Sequence, residues 1–121
     1  MKMQFAGASL WSEDHKNLLP FYRDTLGLNV LMDSPDFAVL SKDMQSPWLG
    51  LGTHSDVHGR NSDPARHMIV LDSFDIHADY QRLHAAGVEF IEAPALNGDM
   101  WIATLKDPEG NFVQLFQFAQ Q

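Results

Sequence analysis

The chain has no cysteine. A disulfide framework and thiol chemistry are therefore excluded, and the absence fits a cytoplasmic protein. Basic residues are scarce, with 8 Lys and Arg against 16 Asp and Glu, a net charge of −8. No basic stripe exists, which argues against nucleic acid and anionic membrane as partners. The acidic field serves solubility, and near a binding site it favours a cationic small molecule. Long apolar runs are missing too, and no positively charged leader precedes an apolar stretch. The sequence thus predicts neither a membrane span nor a signal peptide. No segment is of low complexity.

The 121 residues are 45% hydrophobic, enough for one domain with a sizeable core. Two similar halves follow one another. A strand pattern over 3–10 leads into a helix carrying Leu18, Leu19, Tyr22 and Leu26, ended by Gly27. A second strand pattern over 67–71 leads into a helix carrying Ile76, Tyr80 and Leu83, ended by Gly87. Spacing near i, i+4, i+7 gives each helix one buried face. The two glycines, where a positive-φ helix end is wanted, lie 60 residues apart, as an internal duplication would place them. Asp75 reads as the N-cap of the second helix. Pro20 fits the first helix if that helix starts near 16–18, with the proline in its opening turn.

Strand patterns follow each helix: 28–32, 37–41 and 48–53, then 88–91, 100–105 and 111–118. Turn signals at 34–36, 97–99 and 107–110 separate them. The polar stretch 55–64 reads as a connector, so the first module spans about 1–54 and the second about 65–121. Each half is strand–helix–strand–strand–strand.

The segment Asp107-Pro108-Glu109-Gly110-Asn111-Phe112-Val113-Gln114-Leu115 is the most telling. Pro108 presets a turn, and Gly110 supplies the positive φ that ends it. In the strand that follows, Phe112, Gln114, Phe116 and Phe118 share a face by alternation. An amide in a row of aromatics needs a hydrogen-bond partner, a metal or a ligand.

Together with Phe21-Tyr22-Arg23-Asp24-Thr25-Leu26-Gly27-Leu28, this segment resembles the glyoxalase/bleomycin-resistance/dioxygenase superfamily, the vicinal oxygen chelate proteins. The resemblance covers nearly the whole chain. It implies an α+β fold of two βαβββ modules whose curved mixed sheets form a cleft, usually in a homodimer. In metal-dependent members, ligands sit on the first strand of each module and on the last strand of the second. Some members add one on the last strand of the first. The metal acts as a Lewis acid on vicinal oxygens. Here the first-strand ligand position falls near Gly7, which offers no side chain. His67 falls within about one position of the ligand on the strand opening the second half. Trp48-Leu49-Gly50-Leu51-Gly52 offers no acid, and Gln114 stands where glutamate is usual. Glutamine is a weaker donor than carboxylate and supplies no general base. His67 and Gln114 are the metal candidates that remain.

Other candidates carry two readings each. His67 either lines a cavity or is a strand-end histidine satisfied by backbone. Gln114 either meets a ligand or bonds a neighbouring side chain. Trp48 and Trp101 either floor the cleft, with Phe112 and Phe116, or pack in the core. Trp11 is placed at a strand-to-helix corner, and Phe5, Met44, Met68 and Met100 are candidates for an apolar lining. His54 and His58 belong to a solvated loop, and His15, His77 and His84 are expected at the surface. Glu89, Glu92 and Asp99 read as surface acids.

Three functions follow. The first is a metal-independent small-molecule binding protein, similar to bleomycin-resistance proteins, that sequesters a planar or cationic compound. The second is a divergent metal-dependent lyase, isomerase or dioxygenase using His67, Gln114 and a further ligand that the sequence does not reveal. The third is a dimeric domain without a retained small-molecule role.

Overall fold

The computed structural model describes residues 3–119. The chain divides into two compact units, with the boundary after Gly59. The first unit begins with β1 (Gly7–Ser12) and continues through a 3-10 turn (His15–Asn17) and a short π-type helical segment (Phe21–Thr25). It ends with β2 (Val30–Ser34), β3 (Phe37–Leu40) and β4 (Trp48–Thr53). The second unit holds β5 (Ile69–Asp72), helix α1 (Ile76–Ala85), β6 (Phe90–Asn97), β7 (Met100–Lys106) and β8 (Phe112–Phe118).

The two sheets have the same topology, β1-β4-β3-β2 and β5-β8-β7-β6. In each, the first strand pairs parallel to the last and the other pairs are antiparallel. A parallel pair needs a crossover connection, and the helical segment supplies it. The helical segment buries one side against the sheet. Leu18, Leu19 and Tyr22 are buried in the first unit along with Ala38, Leu40, Leu49 and Leu51. Ile76 and Leu83 of α1 are buried in the second along with Ala103, Leu105, Val113 and Leu115. Alternation then leaves the opposite face of each sheet without a helix from its own unit.

Several boundaries differ from the sequence reading, each for a local reason. The first helix is not a regular α-helix. Pro20 has no N–H to donate, and the chain passes from a 3-10 turn closed by Leu18 N to His15 O (2.9 Å) to π-type bonding, Leu26 N to Phe21 O (2.9 Å). Gly27 still ends it at φ 82°, as Gly87 ends α1 at φ 91°. β1 starts only at Gly7, and β5 at Ile69 rather than at His67. β6 runs on through Pro94, which an edge strand tolerates because its outer N–H positions have no ladder partner.

His15 is a larger correction: it is fully buried, not exposed. Its backbone N–H donates to Thr53 Oγ1 (3.1 Å), and its Nδ1 lies 2.9 Å from the same hydroxyl. The pair fastens the 3-10 turn to the end of β4.

Candidate functional site

The turn before β8 is rigid. The buried Asp107 carboxylate accepts from Glu109 N (2.8 Å), Asn111 N (2.9 Å) and Asn111 Nδ2 (2.8 Å). Gly110 closes the turn at φ 82°. The segment from Arg60 is clamped to it: Arg60 donates to Pro108 O (3.0 Å) and Asn61 N to Glu109 O (2.9 Å). A β-carbon on Gly110 would stand 3.2 Å from that guanidinium. The motif is thus a fixed platform that starts β8 in one register.

That register sets Gln114. On β8, Val113 and Leu115 point to the α1 side and are buried, while Phe112, Gln114 and Phe116 are half-buried on the other face. Gln114 pairs with Thr104 of β7 and Val70 of β5. Its Nε2 reaches Thr104 Oγ1 at 3.5 Å, too long for a strong hydrogen bond. Among the described residues this is the amide's only hydrogen bond. The rest of its donor and acceptor capacity is open. Phe112 and Phe116 stand about 7 Å to either side along the strand, and Ile102 lies opposite Phe116. Phe116 meets Phe118 edge-on, with centroids 5.9 Å apart.

The other sequence candidates separate. Trp101 pairs with Gln117 and Leu96, which puts it on the α1 face, and its ring meets His77 of α1 edge-on at 4.7 Å. The structure does not bring it to Gln114. His67 is exposed and precedes β5. Alternation carried back from Val70 gives Met68, not His67, the parity of Gln114's face. Met68 and Met100 are half-buried, whereas Phe5 and Met44 are largely exposed.

In the first unit Trp48 lies in register with Gly7, on the face away from the helical segment. A β-carbon on Gly7 would sit 2.2 Å from Trp48 O and 2.6 Å from its indole ring. The backbone and ring of Trp48 occupy the space a side chain at position 7 would need. The same face carries Trp11 and Phe37, centroids 5.6 Å apart, which lie over Gly52, with Phe37 also over Gly50. Trp11 is therefore part of an aromatic surface on β1 and not a corner residue. The signal was present in the sequence: glycines at 50 and 52 leave two successive places on one strand face for rings from neighbouring strands. Thr104, by contrast, was legible only once β7 and β8 were paired. Among the described residues, no group of three or more His, Cys, Asp or Glu is placed to hold a metal ion.

The sequence matches the model of the Glyoxalase/Bleomycin resistance protein/Dioxygenase superfamily over residues 4–115. The chain belongs to this superfamily. Solved structures of superfamily members share its fold. A glyoxalase/bleomycin resistance protein from Streptomyces sp. CB03234 is 24% identical, with a TM-score of 0.71 over 94% of this chain and 100% of that one. A superfamily member from Sphaerobacter thermophilus DSM 20745 is 23% identical, with a TM-score of 0.74 over 94% and 96%. TnmS3, described as an antibiotic binding protein from Streptomyces sp. CB03234, is 23% identical, with a TM-score of 0.77 over 98% of each chain. No curated protein matches. The α+β superfamily fold is the one read from the sequence, two mixed four-stranded sheets with few helices. Among the described residues no helix is long and apolar enough to cross a membrane.

Proposed function

We propose that this superfamily member is a metal-independent small-molecule binding protein that holds a planar or cationic compound. The observation that carries the reading is Gln114, a half-buried amide between two aromatic rings whose hydrogen bonding the protein leaves largely open. Such a group specifies a ligand's orientation while the rings supply contact area. The description of TnmS3 as an antibiotic binding protein supports the class.

The donor set argues for binding without a metal. Position 7 is filled by Trp48, His67 is exposed and off the parity of Gln114, and Gln114 is a neutral donor. These residues do not fit a three-ligand metal site. A homodimer belongs to the same reading; light scattering should give twice the chain mass of 13.6 kDa.

The test is tryptophan fluorescence of chelator-treated protein against a panel of aromatic and cationic compounds. Saturable quenching, or a saturable thermal shift, that weakens in Gln114→Ala supports the proposal. No response and no thermal shift across the panel would sink it. About one zinc, nickel, manganese or iron per chain after desalting, lost in His67→Ala, would favour the metal-dependent lyase, isomerase or dioxygenase instead.

A further inference from the structure

β6 changes register against β7 twice, between Phe90 and Glu92 and again between Glu92 and Ala95. Phe90 pairs with Leu105 on the α1 face and meets Tyr80 of α1 at 4.7 Å. Continued without a break, that register would set Ile91 opposite Thr104 and put Glu92 opposite Ala103, on the buried face. Carried back without a break from the turn, where Asn97 pairs with Met100, the register would set Ala93 opposite Thr104. The two irregularities together give the place opposite Thr104 to Glu92. Of three consecutive residues, the one that carries a carboxylate faces the row.

The row then reads Glu92, Thr104, Gln114 and Val70 across four neighbouring strands on one face. Strands lie about 4.8 Å apart, so the backbone positions of Glu92 and Gln114 stand about 10 Å from one another with Thr104 between. Among the described residues Glu92 makes no ion pair or hydrogen bond. Lys106 on the same face is held by Glu89 at 3.4 Å, and Asp72 lies opposite Phe116. The unbalanced charge on this face is therefore negative.

We infer that Glu92 is a specificity-determining residue, and that the ligand is a flat ring compound with a protonated amine about 10 Å from the part that meets Gln114. Phe112 and Phe116 take the ring, Gln114 fixes its polar edge, and Glu92 receives the cation. This rests on the small-molecule reading above.

The experiment compares 9-(4-aminobutyl)acridine, whose alkylamine is a cation at neutral pH and stands away from the ring nitrogen, with neutral acridine, using native protein, Glu92→Gln and Gln114→Ala, at low and high salt. Native protein should prefer the cation about threefold, as an exposed carboxylate allows. Glu92→Gln should remove that preference and leave acridine binding unchanged. The preference should shrink with salt. Gln114→Ala should weaken both probes. Equal binding of the two probes by native protein, with Gln114→Ala still weakening both, would overturn the role of Glu92 and leave the binding face standing. Equal loss of both probes in Glu92→Gln would overturn it as well. Binding of neither probe to native protein would overturn the ring-and-amine ligand. Saturable binding of any other panel compound would then keep the broader reading alive.

Discussion

Gly7 shows how one residue limits the chemistry of a whole site. Alanine at an ordinary strand position gains roughly 0.4–1 kcal/mol over glycine through the unfolded chain. Here the added carbon would lie 2.2 Å from a backbone oxygen, and backbone cannot swing aside as a flexible side chain can. Overpacking of about 1–3 kcal/mol outweighs the gain. Gly7→Ala should therefore lower the urea midpoint, and an unchanged or raised midpoint would show that Trp48 yields. Glu13 gives a second residue-scale prediction. The side-chain contact with His58 Nδ1 (3.2 Å) holds its carboxyl below the usual glutamate range, aided by the Gly59 backbone. A depressed folded-state value means the contribution is present above the unfolded value and is lost as pH falls through the folded one. Because both side chains are exposed, the effect of the pair is small and screened by salt. His58→Ala should raise the Glu13 titration midpoint seen by NMR, and an unmoved midpoint would contradict a histidine origin for the depression.

Elements show which parts of the reading were local. The Asp75 cap, with its side chain accepting from Ala78 N at 3.1 Å, was legible because a cap is written in four consecutive residues. Its partner Gln117 was not. That side chain reaches from β8 to accept from Ile76 N (2.9 Å) and to donate to Phe74 O (2.9 Å), contacts spanning 41 and 43 residues. Gln117→Ala leaves a buried helix-start N–H unpaired and should cost about 1–3 kcal/mol. Faster hydrogen exchange at Ile76, with Leu83 unchanged, is the expected signature. Uniform protection along α1 would contradict it. The strand register of β6 was equally hidden. Its two irregularities depend on β7, and no period within 88–97 announces them. The sequence therefore shows Glu92 as a surface acid, while pairing gives it a place beside Thr104.

At the scale of the molecule, the duplication was plain because it rests on spacing: two glycine-ended helical segments and two identical sheet orders. The Asp107 turn and the Phe21-to-Leu28 segment identified the superfamily because both are fold-forming. The same property makes them silent about activity, since a buried turn carboxylate that accepts from Glu109 and Asn111 serves the backbone of the fold. The site was legible only in part. Gln114, Phe112 and Phe116 share one face as alternation requires, yet Trp101 falls on the helix side by the same rule of two. The measurement that tests the central claim most directly is NMR on chelator-treated protein with a saturating compound from the aromatic panel, following the Gln114 side-chain amide. The account predicts a shift of that resonance, with the moved backbone amides clustered at Thr104, Gln114 and Phe116 and no change on adding metal. Shifts that appear only after metal is added, or that cluster on α1, would contradict it.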